Sequence, residues 1–163
     1  MIGFRSGTAR PSCGSPAPTA AGGECRFGRL CNPAIDGIAV VGGSTASALL
    51  GIGDLELSPY RLYAPRRVNA RNPSASFARR AVARDEVTFE QGLPVTRPER
   101  TVFDLVVDDE DLSLVADVLG DASLKYPGFD YGKLRGLLEG RYGGKRGRGI
   151  FNGLMEDSRI LGD

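Results

Sequence analysis

The chain has 163 residues, of which 41% are hydrophobic and 25% charged, so it can form one domain with an apolar core. Its 21 lysines and arginines nearly balance its 20 acidic residues, which excludes a uniformly basic nucleic-acid coat protein and a uniformly acidic mimic. The sequence has no histidine, which excludes Ser–His and Cys–His catalytic pairs, histidine metal ligands and imidazole pH switches.

Residues 1–37 are predicted to form an irregular or disordered tail. Ten of the first 33 residues are Gly or Pro and few are large and apolar, so this segment cannot bury enough surface to offset its chain entropy. Cys13, Cys25 and Cys31 lie in this tail. Three cysteines without histidine are too few for a four-ligand zinc site, and we expect neither a metal nor a disulfide framework.

The sequence also indicates where the protein acts. No stretch approaches the ~18 consecutive apolar residues that a membrane span needs. The first residues contain no apolar block of signal-peptide length. We therefore expect a cytoplasmic protein with no membrane partner.

Ordered structure is predicted over residues 38–163. The apolar residues 38–41 predict a short strand, and Ser44 is positioned to cap a following helix that Gly51 ends. Alternating β-forming residues predict three further strands, at residues 60–64, 76–82 and 87–89. Turn signals occur at residues 72–73 and 91–94.

The strongest local signal is a capping box at the start of the next helix. Thr96 is followed three residues later by Glu99, so the hydroxyl and the carboxylate are expected to satisfy free backbone amides at the helix start. Pro98 falls in the first turn, where its missing N–H matters least. Four large residues of this helix form an apolar face: Val102, Phe103, Leu105 and Val106.

Three more helices are predicted towards the C-terminus. The first covers residues 112–120, the second is capped by Asp130, and a last short one holds residues 150–155. The acidic residues 108–111 are interpreted as a solvated connector. The order of one helix, then strands, then helices favours an α+β fold, in which a small mixed or antiparallel sheet packs against C-terminal helices.

Charge is segregated along the chain. Residues 57–84 contain seven arginines and no acid, whereas residues 101–124 contain seven acids and no base. The blocks either neutralise each other or are solvated, or the basic block binds phosphates, or the acidic helices bind a basic protein. The candidate nucleic-acid-binding residues are Arg66, Arg67, Arg71, Arg79, Arg80 and Arg84, because guanidinium groups bind phosphate bidentately.

Signatures of enzymes are missing from the sequence. Residues 42–45 read Gly-Gly-Ser-Thr but lack the lysine of a phosphate-binding loop, and no dinucleotide-binding glycine pattern stands between a strand and a helix. Metal-dependent nuclease chemistry would need clustered carboxylates with a lysine, and the acidic connector has no lysine nearby. We therefore expect a protein that is not an enzyme and that needs no cofactor.

Residues 91–105, QGLPVTRPERTVFDL, resemble a characteristic segment of AbiEi-type antitoxins from type IV toxin–antitoxin systems. Two upstream pieces agree: residues 44–53 resemble the small-residue helix of that family, and residues 60–67 resemble its strand ending in Pro-Arg-Arg. The resemblance covers residues 38–163, the C-terminal antitoxin domain. The family's N-terminal winged helix is expected to be missing, because residues 1–37 show no helix-turn-helix pattern.

The resemblance implies a function. Such proteins neutralise a nucleotidyltransferase toxin encoded beside them, and many contribute to autoregulation of their operon by binding operator DNA. The acidic helices would then be the surface that faces the toxin. The alternative is a DNA-binding transcriptional regulator without antitoxin activity, which would use the candidate arginines.

Overall fold

The computed structural model describes residues 39–69 and 71–160 of the chain. The predicted tail and its three cysteines lie outside the described residues. Five strands occur in the described part: β1 Val40–Val41, β2 Tyr60–Ala64, β3 Ala75–Arg79, β4 Val87–Glu90 and β5 Leu93–Thr96. The five α-helices of this part are α1 Gly43–Leu50, α2 Pro98–Val107, α3 Leu112–Lys125, α4 Tyr131–Tyr142 and α5 Gly144–Ile160. A single 3₁₀ turn, Arg84–Glu86, precedes β4.

The strands form one mixed sheet in the order β3-β2-β1-β5-β4. Strand β1 is antiparallel to β2 and parallel to β5, β2 is parallel to β3, and β4 and β5 form an antiparallel hairpin. Leu62, Val41 and Val95 lie opposite one another on adjacent strands and are fully buried in the core. The α+β class is confirmed, and of the two expected sheet types the mixed one is present.

Helix α2 is the centre of the helical layer, since it contacts α1, α3 and α4. Its predicted apolar face is confirmed, because Val102, Phe103, Leu105 and Val106 are all buried. Helix α5 packs on α3 and α4 and contributes Leu154 to the same core. The single core therefore joins the first helix, the central strands and the C-terminal helices.

The predicted bounds of the strands agree with the structure to different degrees. Strand β1 begins at Val40, within the predicted residues 38–41, and β4 ends one residue later than predicted, at Glu90. Strand β2 has the predicted bounds, whereas β3 ends at Arg79 rather than continuing to residue 82. The hairpin turn consists of Gln91 and Gly92 alone, with φ of 52° and 78°. A two-residue turn of this kind matches the twist of the flanking strands, so Leu93 and Pro94 already belong to β5.

The prediction that Ser44 caps α1 is wrong. The helix begins two residues earlier than predicted, at Gly43, with Gly42 at the N-cap and no side-chain cap. The predicted end is confirmed, since Gly51 adopts the left-handed conformation (φ 64°) and its amide bonds back to Ala48.

Two helices are longer than predicted. Helix α3 continues past Gly120 to Lys125, because burial of Ala122 outweighs the roughly 1 kcal/mol by which glycine disfavours a helix. Helix α5 has 17 residues and begins at Gly144. The last helix was predicted only over residues 150–155, so its first turns were missed. Gly147 in these turns is buried where α5 crosses α4, and a Cβ there would collide with the carbonyl of Leu138. The cap by Asp130, which accepts a hydrogen bond from the Lys133 amide, is confirmed.

The packing at Gly42 yields a stability prediction. A Cβ at this position would overlap the ring of Tyr63, so Gly42→Ala should lower the free energy of unfolding by about 1–3 kcal/mol in urea denaturation. Gly136→Ala is the matched control, because Gly136 lies within α4 with open space around its Cβ position. That control should raise stability by about 0.5–1 kcal/mol. Equal stability of the two variants would contradict the packing described here.

Candidate functional site

Six charged side chains meet where β2, the end of β3, the 3₁₀ turn and α2 come together. The members of this buried ion-pair cluster are Arg61, Arg80, Glu86, Arg100, Asp104 and Asp108. Three guanidinium groups face three carboxylates, so the cluster has no net formal charge. It is the densest group of ionisable side chains among the described residues, and we therefore consider it first as a site.

Arg100 and Asp104 form the interior half of the cluster. They stand four residues apart on α2, and Arg100 Nε lies 3.1 Å from each carboxylate oxygen of Asp104. Arg100 Nη1 lies 2.7 Å from Glu86 Oε2, which also accepts the Ala83 amide at 3.0 Å. Arg100 thus fixes the 3₁₀ turn before β4 against the central helix.

Arg80 forms the outer half. Its Nη1 donates to Asp104 Oδ1 at 3.0 Å and its Nη2 to Asp108 Oδ1 at 2.9 Å. The same guanidinium lies 4.7 Å from the ring centroid of Tyr63 and donates to the Tyr63 hydroxyl at 3.1 Å. Arg61 approaches Asp108 Oδ2 at 3.7 Å, and this oxygen has no hydrogen-bond partner.

Burial controls the protonation of this cluster. Burial raises the pKa of the Asp104 carboxyl to about 6, although Arg100 and Arg80 act in the opposite direction. Burial, with Asp104 and Asp108 nearby, raises the pKa of the Tyr63 phenol far above its usual value, so the phenol stays protonated. A carboxyl titrating near 6 could act as a general base, but Asp104 is 0% exposed and cannot reach a substrate in this conformation. The buried ion-pair cluster therefore fits a role in stabilising the fold rather than a role in catalysis.

The predicted capping box is wrong. Because Pro98 is the first helical residue, Arg97 occupies the N-cap and Thr96 lies one position too early. The Thr96 hydroxyl instead lies 2.9 Å from the Thr101 hydroxyl. Glu99 Oε1 accepts the Asp130 amide at 2.9 Å and so ties α2 to the start of α4. The predicted place of Pro98 in the first turn is confirmed.

The structure divides the candidate nucleic-acid-binding arginines. Arg80 belongs to the buried ion-pair cluster, so its guanidinium is already engaged by two carboxylates. Five of the candidates are exposed: Arg66, Arg67, Arg71, Arg79 and Arg84. Arg67 and Arg79 line one cavity of about 540 Å³ beside β3, whereas Arg84 lines another of about 550 Å³ on the open face of the sheet. They do not converge on a single site.

The acidic block is also divided. Asp108 was interpreted as part of a solvated connector, and this is wrong, because only 9% of its side chain is exposed and Arg80 binds it. Asp104 is likewise internal. Asp121 Oδ2 accepts the Gly53 amide at 2.8 Å, which links α3 to the loop after α1. The two charge blocks therefore neutralise each other in part within the fold.

Sequence reasoning missed two members of the cluster, Glu86 and Arg100. They are 14 positions apart, and no local pattern connects them. The Arg100–Asp104 pair could have been found, because oppositely charged residues four apart face each other on a helix.

Other classes of site find no support in the described part of the chain. Residues 39–69 and 71–160 contain no group of three metal-ligating side chains. No helix in these ranges is both long and apolar enough to cross a membrane.

The raised pKa of Asp104 yields a pH prediction. This carboxyl ionises near pH 4 in the unfolded chain but near pH 6 in the folded one, so the stability that it contributes is present below pH 4 and is lost as the pH rises through 6. Asp104→Asn cannot ionise. Relative to wild type, this variant should gain about 3 kcal/mol between pH 4 and pH 7, measured by urea denaturation at each pH. A difference that does not change with pH would contradict the assignment.

Comparison with known proteins identified no relative of the chain. No protein-family model, curated protein or solved structure matches the chain. Function is therefore inferred from the geometry of the described residues together with the resemblance carried by residues 91–105.

Proposed function

We propose that the chain is a cytoplasmic antitoxin of a type IV toxin–antitoxin system, which binds and neutralises a nucleotidyltransferase toxin and is not itself an enzyme. The observation that carries this proposal is the place of residues 91–105 in the fold. This segment supplies the hairpin turn, all of β5 and most of the central helix α2. The part of the sequence that resembles the antitoxins is thus the part around which the other elements pack.

The polar side chains of this segment act inside the fold. Arg100 and Asp104 belong to the buried ion-pair cluster, Thr101 bonds to Thr96, and Glu99 ties α2 to α4. A segment used in this way specifies a fold rather than a contact surface. We therefore expect the toxin to be bound chiefly by side chains outside residues 91–105.

The open face of the sheet offers a surface for such a partner. A groove of about 550 Å³ lies there, and its mainly apolar lining includes Val40, Val82, Val87, Phe89 and Pro94. Phe89 is 69% exposed although it is large and apolar. Exposed aromatic side chains beside a groove are typical anchors of protein–protein interfaces, and Arg84 at its edge suits an acidic contact.

Co-expression tests this proposal. The chain should restore growth to cells that express the nucleotidyltransferase encoded by the neighbouring gene. Phe89→Glu should weaken toxin binding by at least about 30-fold and abolish protection, because it removes the anchor of the interface. Leu57→Glu is the matched control, since Leu57 is 44% exposed in the loop between α1 and β2, outside both the groove lining and the acidic helices. Absence of protection by the wild-type chain would reject the antitoxin function.

A second candidate function is DNA binding without antitoxin activity. DNA binding is favoured by two exposed arginines, Arg67 and Arg79, which line the same polar cavity as Asn69. Arg66, the neighbour of Arg67 in the chain, is also exposed. In this case the same protein would contribute to operon autoregulation or act as a stand-alone regulator.

This second candidate has its own test. Affinity for operator DNA should fall steeply with salt, and Arg66→Ala combined with Arg67→Ala should lower the slope of log affinity against log salt by about 2. An unchanged slope would reject a role for these arginines.

A further inference from the structure

A second cationic surface lies where α4 meets α5. Residues 140–155 contain four cations and no acid. These cations define the α4–α5 corner: Arg141, Lys145, Arg146 and Arg148. All four are exposed. None of them was among the predicted nucleic-acid-binding residues, and the proposed antitoxin function does not use them.

Most of the positive charge at the α4–α5 corner is unpaired. Arg148 Nε lies 3.2 Å from Glu139, but that carboxylate is shared with Arg135 at 2.8 Å. For the other three cations of the corner, no carboxylate of the described residues lies within 4.0 Å. The corner therefore presents a clear excess of positive charge to the solvent.

Two of these cations contact the ring of Tyr142. The guanidinium carbons of Arg141 and Arg146 each lie 5.8 Å from the Tyr142 ring centroid. The Tyr142 hydroxyl donates to the Val106 carbonyl at 3.2 Å, so the ring is anchored to the central helix. Both cations are thus placed around one anchored ring at the surface.

Two of these charges are unfavourable for the helix that carries them. Lys145 and Arg146 stand in the first turn of α5, where the helix dipole favours acidic residues, and that turn contains no acid. Arg141, in contrast, stands in the last turn of α4, where the dipole favours a cation. A bound polyanion would reverse the unfavourable arrangement in the first turn of α5.

We propose that the α4–α5 corner binds the phosphate backbone of nucleic acid, without reading its sequence. Guanidinium groups grip phosphates bidentately, and contacts of this kind give affinity that falls with salt. A protein partner or a membrane surface fits less well, because both need apolar anchors. The large apolar side chains exposed in the described part of the chain lie elsewhere: Leu57, Phe89, Leu112, Leu114, Leu124 and Tyr131.

The test uses the full chain and a fluorescein-labelled DNA duplex of mixed sequence, with binding followed by anisotropy between about 20 and 200 mM salt. The corner variant combines Arg141→Gln, Lys145→Gln and Arg146→Gln. Its affinity should be at least about tenfold lower at low salt, and its slope of log affinity against log salt should be smaller by about 2.7, since three phosphate contacts are lost. Circular dichroism should show an unchanged fold.

A matched variant combines Arg66→Gln, Arg67→Gln and Arg79→Gln, which removes the same net charge from the sheet side. It should retain most of the affinity and slope. Equal losses in the two variants, a loss in the sheet-side variant alone, or no binding by the wild type would overturn the proposal. Competition by polyglutamate as effective as that by unlabelled duplex would also overturn it, in favour of an acidic protein partner. No toxin is present, so the outcome is independent of the antitoxin function.

Discussion

The interaction on which the rest of the structure depends is the pairing of Arg100 and Arg80 with the carboxylates of α2. Asp104 has no exposed surface, and removing one partner of a buried ion pair typically costs 3–5 kcal/mol. Arg80 pairs with Asp104 and Asp108, and Glu86 pairs with Arg100, so the segment from Arg80 to Glu86 is held against α2 at both ends. These pairs fix the path of the chain between β3 and β4, which lie at opposite edges of the sheet.

The same ion pairs divide the arginines in the described part of the chain into two groups, those held in buried ion pairs and those exposed to solvent. Arg61, Arg80 and Arg100 are engaged in the buried ion-pair cluster, whereas the arginines in the loop after β2 and at the α4–α5 corner are exposed. The open face of the sheet keeps an apolar groove with Phe89 at its surface. The molecule therefore offers two chemically different surfaces, an apolar groove suited to a protein and a cationic corner suited to phosphates. An antitoxin that also contacts nucleic acid could use both at once.

Sequence patterns predicted elements well where a local rule was sufficient. Strand β2 lies between two prolines and has the predicted bounds, and Asp130 caps α4 as expected. Local rules failed where tertiary contacts prevailed. The predicted capping box does not form, because Pro98 is the first helical residue and Arg97 occupies the N-cap. The last helix was predicted to be short, but it begins at Gly144 and crosses α4 closely at Gly147.

The sequence by itself determined the α+β class, the apolar face of α2 and the segregation of charge into two blocks, because each of these follows from composition or short-range periodicity. Only the tertiary structure decided which charges meet. Glu86 and Arg100 are 14 residues apart, and Arg80 and Asp108 are 28 apart, so no local pattern pairs them. Arg80 was a candidate phosphate ligand, and the packing of the chain around α2 gives it a structural role instead. The same packing leaves the cations of the α4–α5 corner exposed to solvent.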